Sequence, residues 1–100
     1  MAFEIEFVLE AETDLDGIQP FYRNQILDAI GQHLRHAPTK VGRARIKRLR
    51  LLESPAYRLR VDEYRVFYDV DEEHQVVTVL RVLDKEQSLR YLAEIEEGEL

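Results

Sequence analysis

The sequence predicts an α+β fold: a small antiparallel β-sheet with two N-terminal helices packed on one face and a C-terminal helix. Three observations predict it. Apolar and polar residues alternate with period two at the N-terminus and again through residues 44–82. Apolar residues recur at three- and four-residue steps through residues 19–36. Asp84, followed by Gln87 three residues later, is a helix-starting signature that opens a last helical stretch. Strand runs joined by short turns pair antiparallel, and helices gathered on such a sheet make an α+β domain, here residues 1–100.

The elements follow in order. Phe3, Ile5 and Phe7 alternate with Glu4 and Glu6, a half-buried strand over residues 3–9. The acidic stretch Glu10 to Asp16 reads as a short helix or a turn ended by Gly17. Ile18, Tyr22, Ile26, Ala29, Ile30, His33, Leu34 and Ala37 form the stripe of a helix over 19–36, with Pro20 in its first turn and Pro38 as its stop. Gly31 within it marks close packing on the sheet, and His33 is a core or boundary histidine without a catalytic partner. Lys40-Val41-Gly42 is a loop. Ile46, Leu49 and Leu51 then lie among basic residues in a strand over 44–52, where a slip in period suggests a bulge.

A hairpin follows. Tyr57, Leu59 and Val61 face one side and Arg58 and Arg60 the other. After the Asp62-Glu63 turn, Tyr64, Val66, Tyr68 and Val70 alternate with Arg65, Phe67 and Asp69. A second acidic turn leads into residues 75–82. There Val76, Thr78, Leu80 and Val82 alternate with Val77, Val79 and Arg81, apolar on both faces as in an interior strand. In the last helix Leu89, Leu92, Ala93 and Ile95 form the buried stripe, Lys85 and Tyr91 lie elsewhere, and Gly98 is the stop.

Composition narrows the function classes. Without cysteine there is no disulfide framework, thiolate chemistry or cysteine zinc site, and no His, Asp or Glu grouping has metal-ligand spacing. No phosphate-binding glycine loop or serine nucleophile elbow occurs. The N-terminus carries no secretory signal pattern and no apolar run reaches membrane length, so the expectation is a cytoplasmic protein without cofactor or metal. The net charge of −6 hides a segregation. Residues 40–68 hold nine basic groups against three acidic ones, while the acids collect near both termini. Because salt screens beyond about 8 Å, local sign sets the field a ligand meets. Differently charged solvated faces are the plain alternative.

What remains is an arginine cluster with tyrosines: Arg58, Arg60, Arg65 and Arg81 with Tyr57, Tyr64 and Tyr68. Arginine pairs with phosphate through two hydrogen bonds and a tyrosine ring stacks on an unpaired base, which suits single-stranded RNA. Acids of a protein partner would suit the same cluster, and the residues alone leave both open.

The stretch Tyr57 to Tyr68 resembles the hairpin core of the RelE/ParE toxin superfamily, and Leu80-Arg81-Val82 is similar to that family's last strand. The helix before Pro38 and the basic strand before the hairpin fall in matching order, so the resemblance spans nearly the whole chain. It implies a RelE/ParE-like fold and the toxin of a type II toxin–antitoxin system, held inactive by a cognate antitoxin encoded beside it. It also implies a ribosome-dependent mRNA endoribonuclease without cofactor or metal, whose partners are the ribosome and mRNA. A ParE-like inhibitor of DNA gyrase, or a degenerate toxin that only binds its antitoxin, are the alternatives. For the nuclease, the resemblance implies Arg58, Arg60, Arg65, Lys85 and Tyr91 as the catalytic set around a scissile phosphate. The other basic residues expected to contact RNA are Arg45, Lys47, Arg48, Arg50 and Arg81. The implied reaction is attack of the RNA 2′-hydroxyl on the adjacent phosphorus, leaving a cyclic phosphate. Arg58 and Arg60 stand where the prototype has lysines, Lys85 where it has arginine, and Asp62 where a glycine is usual. Arginine stays protonated, so the first pair supplies charge and not a general base.

Overall fold

The computed structural model describes residues 2–42, 45–50 and 52–99, with side chains described as far as residue 96. Of the sequence expectations, Arg43, the start of the third apolar run at Ala44, and Leu51 lie outside the described residues. The order is β1 (Glu4–Phe7), α1 (Leu9–Asp16), α2 (Pro20–Leu34), β2 (Ile46–Arg48), β3 (Tyr57–Val61), β4 (Tyr64–Asp71), β5 (Val76–Asp84) and α3 (Lys85–Glu99). The strands form one sheet in the order β1-β5-β4-β3-β2. Strands β2 to β5 are antiparallel, as short turns require. Strand β1 joins β5 in parallel and makes the sheet mixed, because the two-helix crossover carries the chain to the opposite sheet edge.

Helices α1 and α2 cover one face. Ala11 and Leu15 of α1 and Ile26, Ala29, Ile30 and Leu34 of α2 pack on Leu59, Val61, Val66, Tyr68, Val77, Val79 and Val82. Within that core the Tyr68 hydroxyl donates to the Pro38 carbonyl at 2.6 Å, so the one polar tip is satisfied. Helix α3 lies on the other face, where Phe67, fully buried, meets the Tyr91 ring at 5.0 Å between centroids.

The acidic stretch after β1 takes the helical one of its two expected forms, whereas several other local expectations change. Helix α2 ends at Leu34, short of Pro38. A side chain added at Gly31 would meet only Arg35 Nε, at 4.0 Å, so that glycine does not mark a close approach to the sheet. Strand β2 is only three residues long, and the expected irregularity there is a turn. Its loop is fixed instead by Arg48, which donates to the Leu49 and Ala56 carbonyls at 2.8 Å each, and by Asp69, which accepts from Ala56 N–H at 2.7 Å and from the Ser54 hydroxyl. The bulge lies in β5. Phe67 pairs with Arg81 and Tyr68 with Val79, so Leu80 is the extra residue and Val82 shares the core face with Val77 and Val79. Simple alternation places Val82 on the wrong side.

The capping box forms as read: Gln87 N–H donates to Asp84 Oδ1 at 2.8 Å and Asp84 N–H to Gln87 Oε1 at 3.1 Å. The buried stripe of α3 is a correction. Ser88 is buried and Tyr91, Leu92 and Ile95 are half-buried, whereas Leu89 is 65% exposed and Ala93 is exposed. The helix also passes through Gly98 to Glu99. Replacing Asp84 with Ala removes one bond of the box and weakens the other. It is expected to cost about 1 kcal/mol, lowering Tm by roughly 4–8 °C for a domain of this size in a thermal melt.

Candidate functional site

Cross-strand pairing arranges the basic residues of the α3 face in two rows. Lys47 pairs with Arg58, Arg58 with Phe67, and Phe67 with Arg81. In the next row Arg60 pairs with Arg65, and Arg65 with Leu83. Directly opposed residues of antiparallel strands share a face and lie about 4.5–5.5 Å apart at Cβ, so Arg60 and Arg65 are immediate neighbours of like charge. Such an arrangement is unfavourable unless an anion joins it.

The electrostatics agree. The Arg58 guanidinium is lowered from the ordinary arginine range, first by burial and then by the Arg65 and Arg60 charges. Arg65 is lowered by burial and by Arg60, while the nearby Glu63 acts the other way. Both remain cations, as arginine does in proteins. The Arg58 Nε is buried without a hydrogen-bond partner, the sole such side-chain atom among the described residues. An unpaired buried donor on a cation is costly, and a phosphate oxygen would satisfy it.

Local structure aims this cluster. Asp62 takes φ 53° in the tight turn, in the left-handed region that aspartate tolerates better than most residues. Arg65 Nη1 donates to the Asp62 and Tyr64 carbonyls at 2.9 and 3.0 Å, so the turn backbone holds one side of its guanidinium.

The remaining expected site residues divide. Arg45 is exposed at the head of β2, its carbonyl accepts from Arg60 N–H at 2.8 Å, and it lines a cleft with Arg60. Arg50 is exposed in the loop after β2. Arg48 lies on the opposite face, over the Tyr57 ring at 5.3 Å, and serves the loop carbonyls. Arg81 is bound to Asp14. Lys85 begins α3 in a cleft with Glu63, Asp84, Glu86 and Leu89. Tyr91 packs on Phe67, and burial pushes its phenol above the ordinary range; Asp69 and Asp14 push the same way, against Arg81. A proton acceptor at neutral pH needs the opposite shift. Two residues that build the site, Phe67 and Asp14, had no signal beyond their residue type: one is an ordinary strand aromatic, the other lies 67 residues from its partner.

A mixed sheet carries two helices on one face and, on the other, a rowed arginine surface beside a C-terminal helix, which suits an anionic partner. The family model for the ParE toxin of type II toxin–antitoxin system, parDE, matches residues 5–89, and the chain belongs to that family, within the RelE/ParE toxin superfamily. It is also similar to the RelBE2 toxin–antitoxin complex of Mycobacterium tuberculosis, at 26% identity over 85% of this chain and 100% of that one, with TM-score 0.74. A mutant of Escherichia coli toxin RelE in the free state is 22% identical, with coverage of 97% and 98% and TM-score 0.69. The archaeal RelE–RelB complex from Pyrococcus horikoshii is 17% identical, with coverage of 85% and 97% and TM-score 0.62. These last two speak to fold alone. No curated protein sequence matches significantly.

Proposed function

We propose that this toxin cleaves mRNA on the ribosome and that Arg58, Arg60 and Arg65 hold the scissile phosphate. The observation that carries this reading is the two-row arginine cluster with the unpartnered Arg58 Nε, a cationic surface that is unfavourable without an anion. In the reaction the RNA 2′-oxygen attacks phosphorus and the bond from phosphorus to the 5′-oxygen breaks. The products are a 2′,3′-cyclic phosphate and a 5′-hydroxyl. The 2′-hydroxyl proton leaves to solvent and a proton reaches the departing 5′-oxygen. The arginines stabilise charge that grows on the phosphorane, and such preorganised donors are usually the largest catalytic contribution. Lys85 at the start of α3 is assigned to the leaving group, and Tyr91 to the edge of the site. The ribosome presents the message, and a cognate antitoxin restrains the toxin. Among the solved structures of similar fold, several are toxin–antitoxin complexes, which supports such a partner.

Controlled expression followed by mapping of mRNA 5′ ends tests this. New ends within coding sequence are expected, and they disappear with Arg65→Ala. Growth arrest without new ends would defeat the proposal. The pH dependence is also expected to be distinctive. The arginines stay charged and the Tyr91 phenol is raised, so hydroxide takes the proton. The single-turnover rate therefore climbs about tenfold per pH unit through neutrality, where a side-chain base titrating near neutrality would give a plateau.

A second reading is inhibition of DNA gyrase without catalysis. It is favoured by the match to the ParE toxin family and by the raised Tyr91 phenol. Loss of gyrase supercoiling at micromolar toxin would support it over the nuclease.

A further inference from the structure

Arg81 stands in the same cross-strand row as Arg58, yet its guanidinium is engaged on both sides. Its Nε and Nη2 donate to the two Asp14 carboxylate oxygens at 2.8 and 3.0 Å. Its Cζ lies 5.5 Å from the centre of the Tyr91 ring. Asp14 accepts a third bond, from Val82 N–H at 2.9 Å, and its side chain is only 13% exposed.

The fold explains why an α1 carboxylate is there. Strand β1 pairs with β5 only as far as Val79, while β5 continues to Asp84. Beyond Val79 that edge of β5 has no strand neighbour among the described residues, and Asp14 supplies the acceptor that Val82 N–H would otherwise lack. The bulge at Leu80 places Arg81 next to that same carboxylate. A bidentate carboxylate fixes the plane of a guanidinium, and a fixed plane can stack on an aromatic ring; lysine reproduces neither feature. Phe67 closes on the ring as well, at 5.0 Å.

We propose that Arg81, anchored by Asp14, is a positioning residue that fixes the Tyr91 ring beside the arginine rows, and is not itself an RNA contact. The proposal rests on the assignment of Tyr91 to the edge of the cleavage site. It removes Arg81 from the expected RNA-binding set and links α1 to α3 across β5.

The test is titration of the Tyr91 phenol by NMR in ring-labelled protein, with Tyr91→Phe to assign the signal. The charged groups around the ring are Arg81 and Asp14, Asp69 of β4, and Arg90 and Glu94, which share its cleft. Arg81→Met removes a cation stacked on the ring, and the midpoint is expected to rise. Asp14→Asn breaks the bidentate anchor that holds that cation, and the midpoint is expected to rise as well, though less. Rises in both variants support the proposal, and a fall in Asp14→Asn, which shows a carboxylate acting only by its charge, overturns it. If both variants move the midpoint down to about 10, the free-tyrosine value, α3 has left the sheet and the contact is merely structural. No displacement in either variant overturns the proposal as well. The titration requires neither RNA nor ribosome, so its outcome is separate from that of the nuclease assay. Where cleavage is measured, Arg81→Met is expected to lower kcat by about 10-fold to 100-fold with KM unchanged, as when a side chain lining the site is misplaced.

Discussion

Arg65→Ala is expected to lower ribosome-dependent mRNA cleavage by about 10²–10³-fold, the loss typical of one charge-stabilising donor. Stability should hardly change. The bonds that Arg65 makes are to turn carbonyls that water can satisfy, and its removal relieves the repulsion with Arg60. A change within about 0.5 kcal/mol is expected in denaturant unfolding. Arg58→Met carries the same idea further. Among the described residues Arg58 is a partly buried cation with no acidic partner and an unsatisfied Nε. An apolar side chain of similar length should therefore stabilise the protein by about 1 kcal/mol while abolishing phosphate binding. A residue whose loss improves folding and destroys activity is retained for its ligand. If Arg58→Met instead destabilises, the guanidinium belongs to the scaffold and the anion-site reading fails.

Phe67→Ala has the largest expected effect on folding. Phe67 is fully buried between the arginine face and α3, and it supports the Tyr91 ring. Its loss opens a large cavity at the aromatic contact that fastens the C-terminal helix. Truncation of a buried phenylalanine typically costs about 3–5 kcal/mol, a large part of the margin of a small domain. Thermal melts should show a Tm drop of well over about 10 °C, and amide exchange should rise first in α3. Phe67→Leu keeps most of the volume and should recover most of the loss. Equal protection of α3 in Phe67→Ala and wild type would contradict this account of how the helix is held.

The sequence made some of this plain and left some hidden, for physical reasons. The hairpin was legible because alternation with a two-residue turn fixes both pairing and faces. That placed Leu59 and Val61 in the core and Arg58, Arg60 and Arg65 together on the opposite side. The capping box was legible because both its partners are local. The parallel pairing of β1 was not, since nothing in a single strand states which edge it will join. The Leu80 bulge reverses the alternation of β5 without any glycine or proline to announce it. On α3, Leu89 looked like core by residue type, yet the face set by Phe67 selects Ser88 and Tyr91. The arginine set divided for a related reason. Arg48 and Arg81 have the same residue type as Arg58, but loop carbonyls occupy one and Asp14 the other. Side-chain charge is written in the sequence; whether a charge is already paired is decided by contacts tens of residues away.

The central claim is that the arginine rows bind a scissile RNA phosphate and drive attack by its own 2′-hydroxyl. The most direct measurement uses purified ribosomes carrying a defined message, with the cut nucleotide supplied as ribose or as 2′-deoxyribose. The all-ribose message should be cut to a 2′,3′-cyclic phosphate by the wild type and left intact by Arg65→Ala, and the deoxy message should resist both. Equal cutting of the two messages, or no cutting of either while gyrase supercoiling is blocked, would contradict it.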